Sequence, residues 1–427
     1  MMKNMTMRVA IALTMMAMTM AGCSNHDEGD NDDNQQDHVF APEDNAYTPM
    51  TLSTAEKQLV NKSNDFAFNL FREVTAKDAD KSEIVSPISI TYALGMLNNG
   101  AGGETLAQIN KVLGFGDTGA DGINQFCRKM LTEAPALDKL TKVMIANTIY
   151  MNKGYVLKPD FVAKAKAYYD AEPETRDFAD GKTLDVINQW ASDHTEHMIE
   201  KVLTEDEFDP ASVSYLLNAI YFKGAWAMKF NSSNTKDETF HTKTGNVKVP
   251  MMRQESFLGY NDTEDFQMLK MPYGNGAFIM TLLLPHEGKT VADVLKDLTE
   301  ETWKRLAWAP TAIVDVKMPR FESETSVNLV PVMKSLGMPD AFDGMKAEFP
   351  DFCDVPTYIS LMKQVAKIKL NEEGTEAAAV TVIGSYAGAA GPIEPQKAVF
   401  HATRPFLYVI SEQSTGAIFF IGQYMGN

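Results

Sequence analysis

The sequence predicts one large domain of the mixed α+β class, and three observations carry that expectation. Of 427 residues, 44% are apolar and 10% aromatic, enough to line a sizeable core. Segments with apolar residues at helical spacing are interleaved with β-branched, strand-like runs, and no linker divides the chain after residue 52. Near the C-terminus, Asn371 to Pro392 (NEEGTEAAAVTVIGSYAGAAGP) separates two apolar runs, Ile359 to Leu370 and Val399 to Ile410, both read as core strands. More than twenty residues between core strands is far longer than an ordinary connection and marks a functional loop.

The chain opens with Lys3 and Arg8 ahead of an apolar run from Val9 to Met20, too short to span a bilayer and patterned as a signal peptide over residues 1–22. Met20-Ala21-Gly22-Cys23 resembles a bacterial lipoprotein cleavage box, with Met20 where Leu is more usual. That resemblance implies a lipid anchor on Cys23; ordinary cleavage nearby, leaving Cys23 idle, is the alternative. The acidic stretch SNHDEGDNDDNQQD follows, and residues 23–52 are expected to form a disordered, solvated tether. The stretch also resembles the acidic surface-export tags of Bacteroidetes lipoproteins, so the expected location is the cell envelope, at the outer membrane and facing outward. Removing the leader takes away two basic residues and no acids, leaving 37 basic against 57 acidic residues, a poor balance for binding nucleic acid or heparin-like polyanions. Beyond Cys23 only Cys127 and Cys353 remain, which excludes a disulfide framework and leaves open whether those two pair.

The folded part, residues 53–427, begins at Ser53-Thr54-Ala55-Glu56, a capping box, ahead of Leu59, Val60, Phe66, Leu70, Phe71 and Val74 at helical spacing. Ser86 before Pro87 starts a second helix, Asn98 to Gly103 stops it, and Leu106, Ile109 and Leu113 mark the apolar face of a third. Val143 to Met151 reads as a strand, Lys182 to Val202 as a helix carrying Trp190, and Ser212 to Phe230 as a strand segment. Val247 to Met252 and a hairpin turning at Gly274-Asn275-Gly276 come next. Val316 to Phe321, a helix running to Phe342 and Arg404 to Ile410 complete the series.

Within the long loop, two-residue alternation puts Thr375, Ala377, Ala379, Thr381 and Ile383 on one face and Glu376, Ala378, Val380 and Val382 on the other. The first face carries no charge, so this segment can enter an existing sheet without desolvating an ionised group. After Ile383 the Gly and Ala residues up to Pro392 have the character of an exposed, cleavable tip.

Glu372-Glu373-Gly374-Thr375-Glu376-Ala377-Ala378-Ala379 resembles the hinge of the serpins, protease inhibitors that trap their target by inserting a cleaved loop. The resemblance extends to Ser86-Pro87-Ile88-Ser89, to Gly100-Ala101-Gly102-Gly103-Glu104-Thr105, and to NAIYFKGAWAMKF with Asn218 and Trp226 in its marker positions, and so covers residues 55 to 425. It implies a fold with a large central β-sheet, two further sheets, surrounding helices and an exposed reactive loop. The hinge would be Glu372, Gly374, Thr375, Glu376, Ala377, Ala378 and Ala379. Control of sheet opening falls to Ser86, Ser89, Asn218, Trp226 and Gln364. Gln364 stands where the family often has His, and can still hydrogen-bond Ser or Asn. Counting from Gly374 puts the scissile bond at Gly388-Ala389, with Tyr386, Ala387 and Gly391 as neighbouring candidates.

Other motifs point nowhere. Gly114 to Gly119 fits a dinucleotide-binding pattern but follows a helix instead of a strand. Ser360-Leu361-Met362-Lys363 fits the SxxK of penicillin-binding enzymes, yet lies in a strand without partner motifs. His194 and His197, one turn apart on the Trp190 helix, lack a third ligand, and no nucleophilic triad stands out. The resulting expectation is a monomeric, non-enzymatic inhibitor without cofactor or metal, whose partner is a serine protease, and also a cysteine protease, held as a covalent acyl-enzyme. Small residues around Gly388 favour elastase-like targets, whereas Tyr386 suits a chymotrypsin-like pocket. The alternative is a non-inhibitory member acting as a binding module, a class marked by bulky, charged or Pro-containing hinges that this chain lacks.

Overall fold

Ser53 caps the first helix as its pattern requires: Ser53 Oγ accepts from the Glu56 amide at 3.2 Å and the Glu56 carboxylate accepts from the Ser53 amide at 2.7 Å. The structure is a computed structural model that describes residues 42–116, 118–375 and 396–427. The signal peptide, Cys23 and the acidic run behind it lie outside those residues. So do Glu376, Ala377, Ala378, Ala379 and the bond candidates Tyr386, Ala387, Gly388, Ala389 and Gly391.

In chain order the helices are α1 (Thr54–Thr75), α2 (Pro87–Asn98), α3 (Gly103–Leu113), α4 (Ala120–Glu133), α5 (Pro159–Tyr169), α6 (Thr183–Asp193), α7 (Val291–Asp297), α8 (Glu300–Leu306) and α9 (Val330–Leu336). The first strands are β1 (Glu83–Val85), β2 (Thr141–Asn152), β3 (Glu174–Arg176), β4 (Ser214–Ala225), β5 (Lys236–Thr242), β6 (Gly245–Asp262), β7 (Phe266–Pro272) and β8 (Phe278–Pro285). They are followed by β9 (Thr311–Pro319), β10 (Phe321–Asn328), β11 (Leu361–Asn371), β12 (Gly374–Thr375), β13 (Lys397–His401), β14 (Phe406–Glu412) and β15 (Ile418–Tyr424). Among the described residues, the central sheet has six strands in the order β10-β11-β12-β4-β2-β3. The second has nine, β1-β15-β14-β8-β7-β6-β9-β13, with β5 paired to β6.

The two further sheets expected from the sequence are thus joined into one. Strand β6 causes the union, because its eighteen residues pair with β9 through Met251 to Gly259 and with β7 through Gly259 to Asp262. Helix α2, every residue of which is buried, packs against β2 and β4 of the central sheet and β15 of the other. An all-round apolar helix is stable only when enclosed in this way.

Three sequence readings need correction. The Trp190 helix ends at Asp193 instead of reaching Val202, and Glu196 and His197 adopt positive φ of 48° and 64°. His194 and His197 are therefore not neighbours on one helix face; each is exposed and bonds locally, to Trp190 O and Ser192 Oγ, both at 2.8 Å. The run from Val399 to Ile410 is two strands broken ahead of Pro405, and the first, β13, is an edge strand with Val399 53% exposed. The tether does not run free to residue 52, since Asn45, Tyr47, Met50 and Thr51 all bond the folded body. Cys127 and Cys353 are both buried and unpaired.

Candidate hinge and sheet-opening site

The site lies along the seam between β11 and β4. These strands run parallel and pair directly from Leu361↔Tyr215 to Lys367↔Tyr221. Beyond that point the chain turns at Glu372-Glu373 and comes back as β12, antiparallel to both neighbours. Thr375 stands opposite Leu370 on one side and Gly224 on the other, so the described residues of β12 form a wedge at the fork of a closed seam.

Local chemistry explains why the wedge sits there. Gly374 has φ +146°, and a Cβ on it would lie 2.1 Å from the Gly224 carbonyl oxygen, so only glycine lets the returning strand approach this closely. Thr375 is fully buried and its hydroxyl is 2.8 Å from the Tyr273 hydroxyl. Tyr273 in turn stacks on Trp226 at 4.4 Å between ring centroids, and burial pushes its phenol pKa far up, keeping it neutral. The Trp226 indole donates to Asn371 O at 3.0 Å, while its amide donates to Glu373 O at 2.8 Å. Two acids of the turn are tied down: Glu372 accepts from Arg320 at 2.5 Å and Thr235 at 2.6 Å, and Glu373 pairs with Lys229 at 2.6 Å.

Below the fork a buried polar cluster closes the seam. Asn147, Asn218 and Gln364 occupy one row across β2, β4 and β11, beneath the start of α2. Gln364 Nε2 donates to Asn218 Oδ1 at 2.6 Å, to Ser89 Oγ at 3.1 Å and to Ser86 O at 3.0 Å, while its Oε1 accepts from the Ser86 amide at 3.0 Å. Ser89 Oγ also donates to Asn218 Oδ1 at 2.6 Å, and Asn218 Nδ2 donates to Asn147 Oδ1 at 2.8 Å. A glutamine here does with one amide what needs a donor and an acceptor on both sides of the seam.

Sequence reasoning missed the lock on the opposite face of β11. Lys363 is 2% exposed, and its ammonium meets both carboxylate oxygens of Glu207, with Oε1 at 2.5 Å. Glu207 belongs to the segment leading directly into β4, so this pair also spans the seam. The SxxK lysine is thus a buried ion-pair partner in a strand. The hydrophobic flank of that strand gave no sign of a distant Glu.

The family model described as "Serpin (serine protease inhibitor)" matches residues 61–426. The chain is 34% identical to Serpin B6 of Pongo abelii over 377 residues, 86% of this chain and 98% of that protein. It is 32% identical to the leukocyte elastase inhibitor of Equus caballus, covering 86% of this chain and 99% of the relative. Among solved structures, that of a thermophilic serpin, tengpin, in its native state matches with a TM-score of 0.79 and 29% identity, over 90% of this chain and 97% of the other.

Proposed function

Because the chain belongs to the serpin family, we propose that it is a suicide inhibitor of serine proteases, with cysteine proteases as secondary targets, acting by loop cleavage and insertion into the central sheet. The observation that carries this reading is the wedge: Gly374 and Thr375 already occupy the first two positions of an additional strand between β11 and β4. The segment 376–395 continues from there in sequence, with a neutral inward-facing set of residues. The target protease supplies the chemistry. Its nucleophile attacks a carbonyl near Gly388, the peptide bond breaks, the new amino terminus at Ala389 leaves, and an acyl-enzyme remains on the inhibitor's upstream fragment. Insertion of Thr375 onward then drags the protease along and distorts its active site before water can release it, so inhibition is a race between insertion and deacylation. Small residues around Gly388 favour elastase-like enzymes with shallow pockets.

Incubation with an elastase-type serine protease tests this. The expected product is an SDS-resistant complex of inhibitor and protease; cleaved or intact chain alone would overturn the reading in favour of a binding module. The cleavage box at Cys23 and the acidic run behind it support a second element, attachment to the outer membrane through a lipidated Cys23. Cys23→Ala should then release the protein from the membrane fraction, and unchanged partition would sink the anchor without touching inhibition.

A further inference from the structure

We infer that Asn45, in the segment ahead of the first helix, is a positioning residue for the hinge. Its side chain and carbonyl brace the turn that holds Thr375. The connection runs through a chain of short contacts. Asn45 Nδ2 donates to Asp138 Oδ1 at 2.8 Å, Asn45 Oδ1 accepts from the Lys139 amide at 3.0 Å, and Asn45 O accepts from Asn275 Nδ2 at 3.1 Å. Asn275 also donates to Leu137 O at 2.7 Å, which binds the β7–β8 turn to the entry of β2. Gly274, in that turn, has φ +43° and lies so close to Asp138 that a Cβ would come within 2.0 Å of its Oδ2, while its amide donates to Ala225 O at 2.8 Å. The residue before it is Tyr273, whose hydroxyl holds Thr375.

Asp138 is 2% exposed and fixes β2 on the same row, accepting from Thr141 Oγ1 at 2.6 Å. Thr141 stands opposite Gly224, and Gly224 stands opposite Thr375. The N-terminal segment therefore reaches the wedge from two directions, through the β7–β8 turn and through the row Thr141-Gly224-Thr375. Farther along, the same segment is held at a separate place, where Tyr47 OH donates to Glu412 at 3.2 Å and the Met50 amide donates to Ser414 Oγ at 3.0 Å. That second anchorage bonds neither Asp138 nor Asn275 and reaches Tyr273 through the backbone ladder at Phe278, which Tyr47→Phe leaves intact, so it provides the control.

The inference rests on the inhibitory reading only for its consequence, because the brace can be measured with no protease present. Amide hydrogen exchange is followed on the intact full chain, comparing Asn45→Ala, Tyr47→Phe, Tyr273→Phe and the double variant Asn45→Ala/Tyr273→Phe. Asn45→Ala removes the two side-chain bonds to Asp138 and the Lys139 amide while its carbonyl still accepts from Asn275, and is expected to speed exchange at Gly374, Thr375 and Gly224 by roughly tenfold, while Tyr47→Phe leaves those amides at the parent rate. The double variant should exchange at the hinge faster than Tyr273→Phe alone but by less than the product of the two single effects, because Asn45→Ala loosens Asp138, which serves both the turn and the Thr141 row, whereas Tyr273→Phe breaks the turn route only. Faster exchange confined to Lys139, a uniform rise along the whole chain, or fully multiplicative effects in the double variant would each overturn the proposal.

Discussion

Replacing Thr375 by Arg tests the wedge most directly. Thr375 is fully buried, its hydroxyl against Tyr273 and its backbone between Leu370 and Gly224. An Arg held there would be an unpaired buried charge, costing roughly 3–5 kcal/mol. The intact protein escapes that cost by leaving the wedge out, which gives up the Tyr273 hydrogen bond and the two pairings of β12, each worth about 1 kcal/mol per net hydrogen bond. Insertion cannot escape it, because Thr375 must enter the sheet before anything that follows. The barrier therefore rises by roughly the same 3–5 kcal/mol and insertion slows about 10²- to 10⁴-fold. If insertion outruns deacylation by about tenfold in the parent, a hundredfold slowing leaves roughly a tenth of the attacking protease trapped. The assay titrates a fixed amount of an elastase-type protease, counts inhibitor molecules consumed per enzyme silenced, and reads complex against cleaved chain on a denaturing gel. Thr375→Val keeps the size and loses only the hydroxyl, so it should remain an inhibitor, with about 1–2 kcal/mol of hinge stability lost. Parent stoichiometry for Thr375→Arg would refute the reasoning.

The Glu372 clamp predicts a pH window. Burial alone would raise its carboxyl, but the hydrogen bonds from Arg320 and Thr235 outweigh burial and hold its pKa below the ordinary 4.5. Its stabilisation is thus complete above that ordinary value and is lost as the pH falls through the lowered folded one. Exchange at Gly374 and Thr375 should accelerate only in that acid range, Glu372→Gln should show the fast rate already at neutral pH, and a flat profile in the parent would count against the clamp. A single cut between Tyr386 and Gly391 should raise the melting temperature by roughly 10–30 °C, since about ten net backbone hydrogen bonds are gained, each near 1 kcal/mol. Equal or lower stability after a confirmed cut would mean that the loop does not insert.

What the sequence made legible was local. Ser53 with Glu56 and Gly274-Asn275-Gly276 specify their own cap and turn because donor and acceptor lie within three residues of each other, and Pro87 opens α2 because a first helical residue needs no amide hydrogen, although the Ser86 side chain makes no cap bond. The seam residues Asn218 and Gln364 could be picked out by resemblance, but not their alignment in one row with Asn147, which depends on strand register. The early end of the Trp190 helix was not readable. Thr195 is fully buried just past it, donating to Ala191 O at 2.7 Å and accepting from the Ile199 amide at 3.1 Å, and that tertiary burial overrides a helical pattern that continues in the sequence. Asn45 and Tyr47 looked like tether because their partners, Asp138 and Glu412, lie 93 and 365 residues away. The same distance hid Glu207 from Lys363, 156 positions along the chain.

In the proposed mechanism the central sheet opens, so its seam must be closed by interactions that can be replaced, and the register at the fork gives their order. β12 is antiparallel to both neighbours, so each further residue drawn in lies opposite residues one step back on β11 and on β4. Six steps beyond Thr375, opposite Leu370 and Gly224, bring Thr381 opposite Gln364 and Asn218. Opening the seam moves β11 and β4 apart by one more strand spacing, about 4.8 Å, which breaks the direct bond from Gln364 to Asn218 and the ladder from Leu361 to Lys367. A threonine hydroxyl donates and accepts at once, so Thr381 entering at that row can take the Gln364 amide on one side and serve Asn218 on the other. Ala377 and Ala379, which share the alternating face of Thr375 and Thr381 in the sequence, would add no bulk or charge on entry. On the proposed insertion, opening breaks the polar bonds of the seam first, and equivalent bonds form again only once Thr381, six residues beyond Thr375, arrives. The barrier is high at the start and the gain comes late. That ordering keeps an intact seam shut, and it makes the anchoring of Thr375 by Tyr273, Trp226 and the turn behind them the point where the rate of insertion is set.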